Sequence, residues 1–341
     1  MQRQFGYPAS FQSSIEQALA SFRLSLQDAK TLAQNVRALS DFFIAKPEAP
    51  TPWHESWAQI AYLCYYLPLN SARLSGVIEQ AEDRNFFSGL ERVIDFGAGP
   101  ATASLTLAEK HRFQFQLIER AAEPQKFVEK FFPHFRAEEW LRTFSASRLQ
   151  DAEKTLAVFS YSLTELSDLP DWAYQCEALM IVEPSTQQDG RKLLELRRRL
   201  LEKGYHIWAP CTHAGACPLL TQSKTDWCHD RVHFAAPNWF LKVEEHLPMK
   251  NRTLTMSYLL ARKTAPTAVN GVRVVGDLLQ EKGKDRQLIC RGPEREFLAW
   301  MHKSGLHQEI PRGVLIEIPP EWSKVSNEIR VQDRIKVRQN S

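Results

Sequence analysis

The stretch that decides the fold is VIDFGAGPATAS, residues 93–104, in which an apolar run leads through a glycine pair into a helix-forming segment. The small residues at 97–99 allow the backbone to approach a ligand at the carboxyl edge of a sheet. Asp95 stands just ahead of them, and Glu119 ends the next apolar run, where a carboxylate can accept hydrogen bonds from both ribose hydroxyls. The predicted nucleotide-binding residues are Asp95, Gly97, Ala98, Gly99 and Glu119.

The loop lacks the third glycine of a dinucleotide-binding fingerprint, because Pro100 and Ala101 stand in its place. Proline at the start of a helix has no backbone N–H, and a pyrophosphate would need that donor. The pocket is therefore predicted to hold a nucleoside without phosphates, and S-adenosylmethionine fits this description. Its ribose is expected at Glu119, and Asp95 is expected on its ammonium side. The alternative is that the glycines only form a tight strand-to-helix turn.

Short apolar runs alternate with helical segments through the middle of the chain. The predicted strands cover 92–97, 113–119, 142–146, 155–162, 178–184, 205–210 and 252–263, the last of them antiparallel. This alternation predicts an α/β protein with a doubly wound sheet. The predicted regions are a helical N-terminal part (1–88), the sheet domain (89–263) with a cysteine-rich loop (209–248), and a small β-rich extension with a basic tail (264–341).

The composition is that of a globular protein, with 43 % hydrophobic and 24 % charged residues. No run approaches the roughly 18 apolar residues of a membrane span, and the first residues resemble neither a secretory signal nor a transit peptide. A bacterial-type cytoplasm without a membrane partner is therefore expected.

The net charge of +3 does not by itself indicate nucleic-acid binding. The last stretch holds a small basic patch that is either solvated or contacts phosphate: Arg330, Arg334, Lys336 and Arg338.

Cysteines cluster in the segment 209–230, which contains three of the six in the chain. Structural disulfides are rare in a reducing compartment, so the cluster indicates a metal site or catalysis. The predicted ligands are Cys211, Cys217 and Cys228, with Cys290, at the end of a later apolar run, as a fourth. Four thiolates suit zinc or an iron–sulfur cluster, and the spacing does not choose between them. His213 and His229 are alternative zinc ligands, and unliganded thiols are a third possibility.

The position where a methyl acceptor would meet the cofactor reads FSYSLTEL, residues 159–166. The Asn/Asp-Pro-Pro-aromatic motif of nucleic-acid amino-methyltransferases is missing there. Cys176 is predicted to lie in the core and not to act as a nucleophile. Tyr161, Glu165 and Glu183 are weak candidates for lining the site, so the catalytic residues stay unassigned.

The helical segment 190–204 carries a group of basic residues beside an apolar stripe. Leu193, Leu196 and Leu200 recur at helical spacing and are predicted to face inward. The basic residues, predicted to form a solvated outer face, are Arg191, Lys192, Arg197, Arg198 and Arg199. Better candidates for contacts with single-stranded RNA are the loop residues Lys224, Trp227, His229, Arg231 and Phe234.

Seven segments together resemble a known family. They are YYLPLNSARLSGVIEQ, VIDFGAGPATAS, FSYSLTEL, VEPSTQQDGRKLLELRR, APCTHAGACPL, DWCHDRVHF and KGKDRQLICRG, within roughly residues 58–293. The chain is similar to the bacterial branch of the Rsm-type methyltransferase-like family, whose mitochondrial members belong to, or assemble, the small ribosomal subunit. The family's Glu-Pro-Gly-Thr-Pro reads Glu183-Pro184-Ser185-Thr186-Gln187 here, a departure at that turn.

The resemblance implies a seven-stranded Rossmann-like S-adenosylmethionine methyltransferase fold. It also implies a [4Fe–4S] cluster on Cys211, Cys217, Cys228 and Cys290, and action on, or docking to, the small ribosomal subunit and its 16S-type rRNA. Three functions remain open: an rRNA methyltransferase with a structural cluster, a non-catalytic assembly factor that retains the cofactor pocket, and a small-molecule methyltransferase with a structural zinc site. The oligomeric state is not predicted.

Overall fold

The structure is a computed structural model that describes residues 3–46, 49–166, 168–267 and 271–337. The α-helices within these ranges are α1 (Ala9–Ser21), α2 (Ala29–Ala45), α3 (Ser56–Ala61), α4 (Leu67–Glu82), α5 (Thr102–Ala108), α6 (Glu123–Phe131), α7 (Gln187–Glu202), α8 (Pro218–Thr221) and α9 (Asn238–Glu245). A π-helical turn, Tyr62–Tyr66, joins α3 to α4.

The strands within the same ranges are β1 (Gln4–Phe5), β2 (Arg92–Phe96), β3 (Gln114–Ile118), β4 (Glu139–Leu141), β5 (Thr155–Ser160), β6 (Ala178–Glu183), β7 (His206–Ala209), β8 (Asp230–Phe234), β9 (Thr253–Arg262), β10 (Val272–Val274), β11 (Leu279–Glu281), β12 (Lys284–Cys290), β13 (Glu296–Met301), β14 (Leu315–Glu317), β15 (Trp322–Val325), β16 (Glu328–Val331) and β17 (Lys336–Val337). Short 3₁₀ helices lie at Ala146–Arg148, Ala152–Lys154, Leu163–Glu165, Ala173–Gln175 and His302–Ser304.

The main sheet has nine strands among the described residues, in the order β1-β8-β9-β6-β5-β2-β3-β4, with β7 also paired to β9. The strands from β2 to β6 pair in parallel, and β9 is antiparallel to β6. The path β4-β3-β2-β5-β6-β9-β7 is the predicted seven-stranded sheet. Strands β8 and β1 extend this sheet by two. They can do so because β9 is 10 residues long, so that it pairs β8 along its first half and β7 along its second.

The central strands are apolar because both faces of the sheet are covered by helices. Along β5, Leu156 and Val158 belong to the core on one face, and Ala157 and Phe159 belong to the core on the other. The first core is shared with α1, α2, α4 and α5, and the second with α7. Cys176 lies in the second core, as predicted, and Cys64 lies in the first.

Three local predictions are wrong. The strand predicted at 142–146 is β4, Glu139–Leu141, because Trp140 and Leu141 pack against the two cores whereas residues 145–147 are exposed. Helix α5 begins at Thr102 and not at Pro100, after Ala101 in a left-handed conformation. The cysteine-rich loop is only partly irregular, since the segment 209–248 contains α8, β8 and α9.

The C-terminal part forms a second sheet of eight strands within the described residues, in the order β15-β16-β13-β12-β10-β14-β17, with β11 paired to β12. Its pairs are antiparallel except β13 with β16. The predicted β-rich extension is therefore present, and its first segment makes the three strands β10, β11 and β12. Arg338 of the predicted basic patch lies outside the described residues.

A buried carboxylate connects the two sheets and the N-terminal strand. Asp230 of β8 accepts hydrogen bonds from Arg3 at 2.9 Å and from Arg273 of β10 at 2.8 Å. Burial alone would raise the pKa of Asp230, but the charges of Arg273 and Arg3 outweigh it and hold this pKa below its ordinary value. This network fixes the second sheet against the first. No helix of the described ranges is long and apolar enough to cross a bilayer.

Candidate functional site

The glycine loop, residues 97–99, joins β2 to α5 and depends on glycine at both ends. Gly97 has a φ of +67° and Gly99 a φ of +49°, in the left-handed region that side chains disfavour. A Cβ at Gly97 would also lie 2.6 Å from the Cβ of Ser162. The amides of Gly97 and Ala98 donate to the carbonyl of Ile118, which holds the loop over the end of β3.

Glu119 follows β3, and its carboxylate faces the glycine loop. The N–H of Gly99 donates to Oε2 at 2.9 Å, and the N–H of Ala121 donates to Oε1 at 2.9 Å. Each carboxylate oxygen can accept a further hydrogen bond. The structure therefore brings Glu119 to the glycines and leaves it able to accept from ribose hydroxyls.

Asp95 is buried within β2, and its Oδ2 accepts a hydrogen bond of 2.7 Å from the hydroxyl of Ser104 in α5. Burial raises the pKa of Asp95 to about 6, and the hydrogen bond from Ser104 opposes this shift. Asp95 thus ties the strand to the helix, a role that the sequence did not predict.

Aromatic residues of the N-terminal region cover the glycine loop. Trp53 lies 3.6 Å from where a Cβ of Gly99 would stand, and its ring centroid is 5.0 Å from that of Tyr62. The Tyr62 hydroxyl shares a hydrogen bond of 3.2 Å with the hydroxyl of Thr102 at the start of α5. Trp53, Tyr62 and Pro100 line a cavity of about 10 Å³. The aromatic-rich run before the sheet domain was the signal that could have found them.

Buried polar atoms without a hydrogen-bond partner gather where β5 and β6 end. Within the described residues they are Tyr161 Oη, Ser162 Oγ and Glu183 Oε2. The other oxygen of Glu183 accepts from the N–H of Leu163 at 3.0 Å. Tyr161 has a φ of +59°, which is strained for a bulky residue. Unpaired buried groups and strained backbone together are typical of functional sites. The side chain of Glu165 lies outside the described part of the structure.

Glu183→Gln is expected to change the pH dependence of stability. Burial raises the pKa of Glu183 from 4.5 to about 8, so the folded carboxyl is neutral at pH 7. The stability that the protonated carboxyl of Glu183 contributes is fully present below about pH 4.5. It is lost as the pH rises to about 8, because over this range Glu183 ionises in the unfolded chain but stays protonated in the folded one. Glutamine keeps the neutral shape, so the variant should lose this decline and be more stable than the parent near pH 8. Denaturant unfolding between about pH 4.5 and pH 8 measures the free energy of unfolding, with exposed Glu153→Gln as the control. If this free energy changes with pH in Glu183→Gln as it does in the parent, the expectation is contradicted.

The four cysteines predicted as ligands line one cavity of about 30 Å³. Cys211 follows β7, Cys217 precedes α8, Cys228 precedes β8, and Cys290 ends β12 of the second sheet. All four thiols are free. The fold therefore brings Cys290 to the other three, although 62 residues separate it from Cys228.

The thiols are spread more widely than the ligands of one zinc ion. Of the His, Cys, Asp and Glu residues that the structure describes, only Asp285, His302 and His307 place three ligand atoms within 4.8 Å of one another. A tetrahedral zinc site with Zn–S bonds of about 2.3 Å needs sulfur pairs about 3.8 Å apart. Among the described residues, no three of the four sulfurs lie within 4.8 Å of one another.

Two buried arginines face this cavity. Nε of Arg197 in α7 donates to Sγ of Cys211 at 3.0 Å, and its Nη2 donates to the carbonyls of His213 and Gly215. Arg273 is one of the residues that line the cavity. The prediction of a solvated Arg197 is wrong: this side chain is 2 % exposed, because position 197 falls on the apolar face that also carries residues 193 and 200.

Burial raises the pKa of Cys217, Cys228 and Cys290, that of Cys290 to about 12. The charges of neighbouring thiolates raise these pKa values further. These three thiols therefore hold their protons at pH 7 unless a bound cation displaces them.

The strand order of the main sheet, the glycine loop after β2 and the acid after β3 define a Rossmann-like fold of the S-adenosylmethionine methyltransferase class. A family model described as mitochondrial small ribosomal subunit Rsm22 matches residues 56–301. The chain belongs to this family, which confirms the resemblance found in the sequence.

Several solved structures are similar to parts of the chain at low identity. A candidate RNA methyltransferase of Pyrococcus horikoshii is 11 % identical, with 67 % of this chain and 96 % of that chain covered and a TM-score of 0.36. Precorrin-6y C5,15-methyltransferase of Geobacter metallireducens is 14 % identical, with 54 % and 86 % covered and a TM-score of 0.34. Magnesium protoporphyrin IX methyltransferase of Synechocystis, with bound S-adenosylmethionine, is 11 % identical, with 67 % and 97 % covered and a TM-score of 0.32. No curated protein matches the chain.

Proposed function

We propose that the protein binds S-adenosylmethionine at the glycine loop and acts on the small ribosomal subunit, with its 16S-type rRNA as methyl acceptor. The carrying observation is the position of Glu119, which the amide of Gly99 holds beside the left-handed glycines. The description of the family supports the ribosomal part of the proposal.

The residues present suit this cofactor and an acceptor base. Glu119 would accept from the ribose hydroxyls, and residues 97–99 would lie against the aminoacyl end, with Asp95 behind them. Bound S-adenosylmethionine supplies an electrophilic methyl group. Where β5 and β6 end, the hydroxyl of Tyr161 and the neutral carboxyl of Glu183 have no hydrogen-bond partner and would be able to donate to a base.

Glu119→Ala is expected to weaken S-adenosylmethionine binding by about 10- to 100-fold, because hydrogen bonds to a charged group contribute about 1.5–3 kcal/mol. Isothermal titration calorimetry measures the dissociation constant, and circular dichroism checks the fold. Exposed Glu129→Ala, on α6, is the control and should bind as the parent does. If both variants bind S-adenosylmethionine with the same affinity, Glu119 does not contribute to the binding site.

A second function, ribosome assembly without methyl transfer, is favoured by the aromatic cover of the loop and by the missing amino-methylation motif. Small subunits from a strain that lacks the protein, incubated with it and methyl-labelled S-adenosylmethionine, separate the two. Label in the rRNA establishes the enzyme, and cofactor binding without transferred label establishes the assembly factor. Absence of cofactor binding overturns the pocket itself.

For the four thiols we infer a [4Fe–4S] cluster with a structural role. The wide spacing of the sulfurs, the shared cavity and the positive charges of Arg197 and Arg273 support it, because clustered thiolates need charge compensation when buried. Such a cluster would tie β12 of the second sheet to the loop after β7. Iron sensing is the alternative role. Protein purified without oxygen should contain about four iron and four sulfide per chain. One zinc per chain without sulfide would instead contradict the cluster and support the third function, a small-molecule methyltransferase with a structural zinc site.

A further inference from the structure

A second group of metal-binding side chains lies in the C-terminal sheet, apart from the thiols. Asp285, near the start of β12, has one carboxylate oxygen 3.0 Å from Nε2 of His302 and the other 2.9 Å from Nδ1 of His307. The ring centroids of the two histidines are 5.1 Å apart. Asp285 is five residues from Cys290 on the same strand, an odd number, so the two side chains point to opposite faces of the sheet.

The three side chains stand on a rigid frame. The N–H of His302 donates to the carbonyl of Gly283, and the turn at Gly305, with a φ of +70°, brings the chain back toward β12. The loop that carries His307 is then held by paired side-chain and backbone hydrogen bonds, between Gln308 and Ile335 on one side and between Gln287 and Ile310 on the other. Preorganised ligands of this kind favour ion binding because little ordering is left for the ion to impose.

The burial of the three groups suits a site that is closed at its base and open at its top. The side chain of Asp285 is 3 % exposed, whereas that of His307 is 61 % exposed. Among the described residues, the ion pairs of Asp285 are with these two histidines.

We propose that Asp285, His302 and His307 bind a divalent transition-metal ion of the zinc type, with the fourth position open to solvent. One carboxylate and two imidazoles are a ligand set that zinc takes in proteins, and all three ligand atoms already lie within 4.8 Å of one another. The ion fastens the 3₁₀ helix His302–Ser304 and the loop of His307 onto β12. It stabilises the second sheet independently of the thiol centre.

Cobalt(II) distinguishes the two sites in the full chain, purified without a histidine tag and stripped with chelator. Thiolate ligands give cobalt a strong near-ultraviolet charge-transfer band, whereas nitrogen and oxygen ligands give only weak visible bands. His307→Ala is expected to abolish the weak bands, to leave the charge-transfer band unchanged, and to weaken zinc binding at this site by more than about 100-fold, since it removes a direct ligand. His134→Ala, an exposed histidine outside the group, is the control and should match the parent.

The exposure of His307 makes its alanine variant a mild change to the fold, and Asp285→Asn provides a second variant that keeps the shape of the buried ligand. Loss of one bound zinc per chain in both variants supports the site. Unchanged cobalt spectra and zinc stoichiometry in both variants overturn it, and the group is then an ion pair only. Because neither variant touches the glycine loop or the thiols, this result is separate from the test of the proposed function.

Discussion

Cys290→Ser is expected to lose more than about nine-tenths of the iron bound by the parent protein. Cys290 is the one thiol that the second sheet contributes to the cavity, so its removal leaves three ligands and an unfastened β12. Because metal binding and folding are coupled, the melting midpoint should fall as well. Iron and sulfide content after anaerobic purification, with a thermal melt, measures both effects.

The matched control for this variant is Cys176→Ala, which removes a buried thiol of the second core, away from the cavity. It should lower stability slightly and keep the full iron content. A Cys290→Ser protein that retains iron and sulfide at the level of the parent would show that the four thiols do not share one inorganic centre.

Gly97→Ala is expected to lose S-adenosylmethionine binding by more than about 100-fold, the second large effect. The added Cβ would lie 2.6 Å from Cβ of Ser162, closer than two carbons can approach, on a backbone with a φ of +67°. The loop must then move away from Ser162, and with it the surface on which the cofactor would lie. Calorimetric titration with the cofactor measures this loss.

Gly89→Ala separates crowding from backbone strain. Gly89 has a φ of +75° but nothing within 4 Å of where its Cβ would stand, so the substitution adds a similar strain, about 1 kcal/mol, and no clash. It should lower stability and leave cofactor affinity unchanged. If both variants bind the cofactor equally well, the contact between the glycine loop and Ser162 does not shape the pocket.

Helix α7 connects the two proposed centres. Its N-cap, Thr186, follows the turn after Glu183, and the indole of Trp227 donates to the carbonyl of Ser185 in that turn at 2.8 Å. Farther along the helix, Arg197 reaches Cys211. Since Trp227 directly precedes Cys228, this hydrogen bond joins the turn after Glu183 to the cysteine-rich loop.

The sequence by itself determined the class of the fold and the glycine loop. The apolar runs predict the buried residues of β2, β5 and β6. The glycines at 97 and 99 predict the left-handed turn between β2 and α5. These signals are local, so they can be read without knowing what packs against them. The four cysteines were grouped by their positions in the chain, and the family resemblance added the [4Fe–4S] assignment, because spacing alone did not choose between zinc and a cluster.

Only the tertiary structure decided which distant groups meet. Cys290 reaches the other thiols because β12 packs beside the loop after β7, and Trp53 covers Gly99 because the N-terminal region folds onto the sheet. Local patterning misjudged Arg197, because its burial depends on acceptors that the fold supplies, namely Sγ of Cys211 and the carbonyls of His213 and Gly215. The group of Asp285 and two histidines was missed for the same physical reason: a sequence pattern records burial, whereas the partner that satisfies a buried charge is chosen by packing.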